Sequence, residues 1–164
     1  MKRIFAVLFL IVCLSLLPIQ TIAQASQDKT GPKLVQLLEQ SGYKYTKAAD
    51  KAWTIPFTGK VISDFIAVVT YEEDIVVIFT IVAEKAEYKV TPELMQKLLR
   101  MNGDLDRVKI GIDKEGDMFV RIDLSISTLT ADELKINANQ VASATEQVYE
   151  AITPFLVTAK SQKK

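Results

Sequence analysis

The spacing of apolar residues predicts three helices in this chain. In each of three segments, apolar side chains recur every third or fourth position, which places them on one face of a helix. The predicted helices begin at Pro32, Thr91 and Thr130, and they end at Gly42, Gly103 and Pro154. Proline suits a first helical turn, threonine caps a helix N-terminus, and glycine commonly follows a C-terminus. These local signals set the bounds of the helical segments.

Between the helices, five segments have the composition or pattern of strands. Three of them alternate apolar and polar side chains with a period of two, and the two central ones are strongly β-forming. The strands cover residues 53–57, 64–71, 75–83, 108–112 and 118–124. Their connections at residues 72–74 and 113–117 are short and polar, as expected for antiparallel hairpins. The order α-β-β-β-α-β-β-α therefore predicts an α+β fold, in which helices pack on an antiparallel five-stranded sheet.

The two central strands are apolar on both faces, although the final hairpin has only one dry face. Strands of this kind need cover on both sides. We therefore predict an apolar surface on the second side of the sheet, covered by a partner subunit, by a client or by the second helix alone. The residues assigned to this partner or dimer surface are Ile66, Val68, Val76, Ile78, Met95, Leu99 and Met101.

The first 25 residues have the layout of a cleavable secretory signal. Lys2 and Arg3 precede an apolar run over residues 4–17, and cleavage is expected after Ala25 or Ala23. The run is shorter than the roughly 20 residues that a membrane-spanning helix needs. The chain is thus predicted to be exported to the periplasm or outside the cell, with no stable membrane span after cleavage.

This reading divides the chain into four parts. They are a signal peptide at 1–25, a flexible leader at 26–31, one α+β domain at 32–156 and a basic flexible tail at 157–164.

The predicted mature chain lacks the residue types that most catalytic mechanisms use. The sequence has no histidine, and its one cysteine, Cys13, lies in the signal segment. Loss of Lys2 and Arg3 with the signal leaves 18 basic and 20 acidic residues, a balance that argues against nucleic-acid binding. We predict no enzymatic activity and no cofactor.

A calcium site is the alternative for one acidic segment. Asp113, Glu115 and Asp117 alternate around a turn, and calcium prefers oxygen ligands. However, Gly116 is the fourth residue of the segment, whereas an EF-hand loop needs glycine at the sixth position. Ordinary turn chemistry explains the segment, and we predict no metal site.

Several short motifs along the chain resemble the YbjN-type domain, which belongs to the type III secretion chaperone-like fold. They are Leu37-Leu38-x-x-x-Gly42-Tyr43, Trp53-x-Ile55-x-Phe57, Leu98-Leu99-Arg100-Met101-Asn102, Lys109-Ile110-Gly111-Ile112-Asp113-x-x-Gly116 and Arg121-Ile122-Asp123-Leu124. The resemblance implies a small domain that often pairs as a homodimer and binds other polypeptides without catalysing a reaction. Secretion chaperones act in the cytoplasm, so the signal peptide sets this chain apart from them.

These observations predict an exported, non-enzymatic, chaperone-like module that binds a protein or peptide and forms a homodimer through the apolar sheet face and the second helix. Two alternatives stay open. One is a small-ligand carrier with a pocket between helix and sheet, and the other is a degenerate hydrolase or an enzyme inhibitor. An extended apolar groove would favour the first reading, and a closed pocket with a few inward polar groups would favour a carrier.

Overall fold

A computed structural model describes residues 29–157. The predicted signal peptide at 1–25, leader residues 26–28 and tail residues 158–164 lie outside the described residues. Within residues 29–157, no helix combines the length and the apolar character that crossing a membrane requires.

Antiparallel strands form one six-stranded sheet. The strands are β1 (Thr46–Ala49), β2 (Ala52–Phe57), β3 (Phe65–Glu72), β4 (Ile75–Ala83), β5 (Lys109–Ile112) and β6 (Met118–Ser125), and their spatial order is β1-β2-β3-β4-β6-β5. Five strands match predicted ones, so the α+β architecture is confirmed but the predicted number of strands is wrong. The additional strand is β1, whose four residues are all exposed. No apolar alternation marks it in the sequence.

Three α-helices accompany the sheet, namely α1 (Thr30–Ser41), α2 (Pro92–Asp104) and α3 (Ala131–Ile152). Both predicted threonine caps form. The Thr91 hydroxyl accepts a hydrogen bond from the Leu94 N–H at 3.1 Å, and the Thr130 hydroxyl accepts one from the Glu133 N–H at 3.2 Å. After α1, Gly42 has a φ of 77°, a left-handed conformation that favours glycine.

Both ends of the described chain are hydrogen-bonded to the rest of the domain. The α1 helix begins at Thr30 instead of Pro32, and the Thr30 hydroxyl donates to the Glu73 carbonyl at 2.7 Å. At the other end, the N–H of Val157 donates to the Glu87 carbonyl at 2.7 Å. Tertiary hydrogen bonds of this kind leave no local signal in the sequence.

The core lies between the helices and one face of the sheet, here called the covered face. The α3 helix packs on β4 and β6, α1 packs on α3, and α2 contacts β5 and α3. Fully buried side chains from both layers form this core: Leu34, Leu38, Ile55, Ala67, Val69, Val76, Ile78, Leu94, Val120, Leu134 and Val141. The opposite side of the sheet is called the open face, because its side chains remain exposed or half-buried.

Candidate functional site

The open face carries large apolar side chains that remain accessible to solvent. Ile66, Ile75 and Ile81 are 52%, 39% and 42% exposed. Around them, Val68, Val77, Phe79 and Phe119 are half-buried. A contiguous apolar surface on a small domain commonly marks a site of interaction. The prediction of an apolar second face is therefore confirmed, whereas the alternative in which α2 alone covers it is wrong.

Strand pairing arranges the open face in two neighbouring rows that cross the sheet. The first, called the Phe79 row, joins Thr54, Val68, Phe79, Arg121 and Lys109. The second, called the Val77 row, joins Ala52, Thr70, Val77 and Asp123. Neither row has a charged residue on β2, β3 or β4. The charged residues of the two rows lie on β6 and β5. The open face thus has an apolar centre and a charged margin.

A concavity of about 660 Å³ opens on this face. It is lined by Thr70, Tyr71, Val77, Phe79, Ile81 and Phe119, together with the charged side chains of Lys51, Glu72, Asp113 and Arg121. The concavity lies on the open side of the sheet and not between helix and sheet, where the carrier alternative placed a pocket.

The Phe119 ring at the edge of the concavity packs over a glycine on the neighbouring strand. Gly111 on β5 pairs with Phe119 on β6, and the Phe119 ring lies over the glycine so closely that a Cβ there would overlap it. An aromatic ring that covers a cross-strand glycine is a recognised stabilising arrangement of edge strands. The absence of a side chain at position 111 therefore leaves the space that the Phe119 ring occupies.

The charged margin is a cluster of three side chains around one carboxylate. The Lys109 ammonium lies 2.6 Å from Asp123 Oδ2, and the Arg121 guanidinium lies 2.6 Å from Asp123 Oδ1. Burial pushes the pKa of Asp123 upward, but the hydrogen bonds and positive charges of Lys109 and Arg121 outweigh it, so the pKa falls below its ordinary value. The cluster carries two positive charges and one negative charge, and Asp123 holds Arg121 along the open face.

The structure separates the predicted sheet residues into two groups. Ile66 and Val68 lie on the open face, but Val76 and Ile78 are fully buried on the covered face. Their assignment to a partner surface is therefore wrong. Because β4 is apolar on both faces, its periodicity does not reveal which face is covered, and the pairing of Val68 with Phe79 decides it. The β4 residues of the open face that the prediction missed are Ile75, Val77, Phe79 and Ile81.

Two of the three predicted residues of α2, Met95 and Leu99, lie one helical turn apart and form a second apolar surface, here called the helix surface. Met101 is two positions after Leu99 and therefore lies on nearly the opposite side of the helix. Leu99 is 74% exposed, whereas Met95 and Met101 are half-buried against the core. On the inner side of the same helix, Leu94 and Leu98 are buried. A flexible methionine beside an exposed leucine gives a surface that adapts to different apolar groups.

The end of α2 closes the outer edge of β5. The side-chain amide of Asn102 accepts a hydrogen bond from the Ile110 N–H at 2.7 Å and donates one to the Ile110 carbonyl at 3.1 Å. It thus takes the place of a neighbouring strand at this edge of the sheet. Asn102, which directly precedes the predicted helix end at Gly103, therefore also connects α2 to the sheet.

The acidic turn between β5 and β6 is occupied by its own hydrogen bonds. Asp113 Oδ1 accepts from the N–H groups of Gly116 and Asp117, both at 2.8 Å, and Asp117 Oδ1 accepts from the Lys85 N–H at 2.9 Å. Burial and the charges of Asp117 and Asp113 raise the pKa of Tyr88, whose hydroxyl donates to the Gly116 carbonyl. Among residues 29–157, no group of three or more His, Cys, Asp or Glu side chains is placed so that it could hold a metal ion.

A family model matches most of the domain just described. The model is YbjN, described as "Putative bacterial sensory transduction regulator", and it covers residues 33–154. Comparison with curated protein sequences gives no match. The match runs from α1 to the end of α3, and it confirms the resemblance that the sequence motifs predicted.

Solved structures with the same fold include YbjN from E. coli, a chain of a chaperone–effector complex and a chain of a complex from a type III secretion system. YbjN from E. coli is 19% identical, with a TM-score of 0.58 over 77% of this chain and 95% of that chain. A chain of the HopA1–SchA chaperone–effector complex is 14% identical, with a TM-score of 0.56 over 75% and 98%. A chain of the ExoU–SpcU complex from the type III secretion system of Pseudomonas aeruginosa is 16% identical, with a TM-score of 0.51 over 74% and 95%. At these identities the likeness concerns the fold.

Proposed function

Because this chain belongs to the YbjN family, we propose that it is a non-enzymatic, polypeptide-binding protein of chaperone-like fold, which acts as a homodimer after export. It binds apolar segments of other polypeptides by burying them on accessible apolar side chains. A regulator that acts by binding another protein would also be a polypeptide-binding module of this kind, which agrees with the description of the family model.

The observation that carries the proposal is the presence of two accessible apolar surfaces on one small domain. The open face exposes Ile66, Ile75 and Ile81, and the helix surface exposes Leu99. Exposure of so much apolar surface is unfavourable in water, since full burial of one leucine or isoleucine side chain contributes about 1.5–3 kcal/mol. A protein partner relieves this cost. The same fold in a chain of a chaperone–effector complex supports a polypeptide as that partner.

The side-chain inventory supports binding over catalysis. The sequence has no histidine, and its one cysteine is Cys13 in the predicted signal. In the part of the chain that the structure describes, the carboxylates with lowered pKa values are Asp123, which is paired with two cations, and Glu146, which accepts backbone hydrogen bonds. Ion pairs and backbone contacts of this kind serve structure, so neither carboxylate is poised as a general acid or base.

Export rests on the sequence of residues 1–25. The basic pair, the apolar run and the small residues at 23 and 25 have the order of a cleavable signal. The proposed protein therefore meets its partners in the periplasm or outside the cell, and loading of a cytoplasmic secretion machine is not its task.

We assign the binding of client polypeptides to the helix surface. Within residues 29–157, Leu99 is the most exposed of the large apolar side chains, and the neighbouring Met95 is flexible enough to fit different client residues. Apolar anchors on one face of a helix are a common way to recognise a polypeptide.

The experiment that tests this function is binding of mature 26–164 to a permanently unfolded probe, reduced and carboxymethylated α-lactalbumin carrying a fluorophore. Leu99→Asp is expected to weaken binding about tenfold, which corresponds to about 1.4 kcal/mol. Gln96→Asp makes the same change of charge at an exposed position of α2 and is expected to leave binding unchanged. No binding by the unaltered protein, or equal binding by both variants, would contradict the assignment.

A further inference from the structure

The two rows of the open face carry opposite charges at adjacent positions of one strand. Arg121 belongs to the Phe79 row and Asp123 to the Val77 row, and both project from β6 on the same side. Across β3 and β4, the same rows carry Val68 and Phe79 in one, and Thr70 and Val77 in the other. The open face therefore has an apolar centre, and on β6 a base and an acid, Arg121 and Asp123, stand in adjacent rows on either side of a line that runs between the rows.

Rotation by 180° about that line exchanges the two rows. A second copy placed by this two-fold axis presents the partner's Asp123 to Arg121 and the partner's Arg121 to Asp123. At the centre, Val77 meets the partner's Phe79, so apolar side chains meet apolar side chains. One rotation thus places opposite charges against each other on β6 and apolar side chains against each other on β4, while Lys109 stays paired with Asp123 of its own chain.

We propose that the open face is the homodimer contact, in which two sheets pack face to face about a two-fold axis that crosses the strands between the Val77 row and the Phe79 row. This inference rests on the proposed function, which includes a homodimer, and it assigns the surface through which the two copies pair. Face-to-face packing of antiparallel sheets across interdigitating apolar side chains is a standard arrangement. The apolar centre supplies the affinity, and the reciprocal Arg121–Asp123 pairs fix the orientation.

Other orientations and occupants fit the charges less well. A two-fold axis that runs along the strands at the middle of the sheet would place Arg121 opposite the partner's Thr54 and Asp123 opposite the partner's Ala52, which leaves both charges without new partners. An unrelated peptide would have to bring its own base and acid at the same spacing. A second copy brings them by symmetry.

The test is a charge exchange followed by sedimentation velocity of mature 26–164 over a wide concentration range. The unaltered protein is expected to be a dimer. Arg121→Glu places two acids in the contact and Asp123→Lys places two bases there, so each variant alone is expected to dissociate at least about tenfold more readily. An equimolar mixture of the two is expected to recover dimers, because position 121 of one chain then meets position 123 of the other with opposite charge.

Matched controls change charge by the same amounts elsewhere. Lys47→Glu on β1 and Glu150→Lys on α3 alter exposed side chains and are expected to dimerise like the unaltered protein. Circular dichroism of each variant shows that it is folded before it is mixed. A variant that had simply unfolded would not be recovered by mixing, so recovery also excludes that explanation.

Three outcomes would overturn the inference. If the unaltered protein stays monomeric, the open face does not pair. If both single variants dimerise normally, the homodimer uses another surface. If the variants dissociate but the mixture does not recover, the reciprocal contact is absent. The probe experiment with Leu99→Asp is separate from all three, so client binding can stand or fall independently.

Discussion

The carboxylate of Glu146 occupies the space that a side chain at position 59 would need. Glu146 extends from α3 to the loop between β2 and β3, where its oxygens accept hydrogen bonds from the N–H groups of Lys60, Val61 and Ile62 at 3.0, 2.8 and 3.0 Å. A Cβ built on Gly59 would overlap that carboxylate. The absence of a side chain at position 59 therefore permits α3 to hold the loop.

Gly59→Ala is expected to lower the melting temperature by displacing Glu146. The carboxylate is the end of a flexible side chain and can move away, so the penalty is the loss of its three backbone hydrogen bonds and not a fixed clash. Gly103→Ala is the matched control, because nothing lies within 4 Å of a Cβ at that helical position. Alanine there is expected to stabilise the protein slightly. Equal effects of the two substitutions on thermal unfolding would refute this account.

The contribution of Glu146 is expected to depend on pH in one direction. Hydrogen bonds from the Ile62, Lys60 and Val61 N–H groups lower its pKa below the ordinary value of 4.5. A lowered pKa means that the folded state favours the charged form, so the stabilisation is fully present well above pH 4.5 and is lost as the pH falls through the lowered value. The difference in melting temperature between the unaltered protein and Glu146→Gln should therefore shrink on acidification. A difference that grows in acid would contradict the assignment.

Removal of the Asn102 side chain is expected to loosen the β5 edge. Asn102→Ala leaves the N–H and carbonyl of Ile110 without their side-chain partners. Two such hydrogen bonds contribute about 1–3 kcal/mol together. Gln96→Ala, at an exposed position of the same helix, serves as the control. Urea unfolding gives the change in stability, and faster hydrogen exchange at the Ile110 amide identifies its location. Slow exchange in the variant would argue against the edge role.

Much of the fold could be predicted because its signals are local. Thr91, Thr130 and Gly42 determine helix ends through contacts within a few residues, and the sequence shows them directly. The position of β1 could not be predicted, since all of its side chains are exposed and pairing with β2 alone defines it. Part of the site was equally non-local, because the approach of Lys109 to Asp123 and the face of β4 that stays open depend on strand register, although Arg121 and Asp123 are two residues apart on one strand.

Adjacent residues of β4 provide the most direct check of that register. Ile78 is fully buried on the covered face, and Phe79 is half-buried on the open face. Ile78→Ala is therefore expected to cost about 2–5 kcal/mol of unfolding free energy, as cavities in packed cores do. Phe79→Ala removes a larger side chain but should cost much less, because no core cavity forms. Urea unfolding at concentrations where single copies prevail separates this effect from dimerisation. A larger loss for Phe79→Ala than for Ile78→Ala would mean that the two faces of the sheet are reversed.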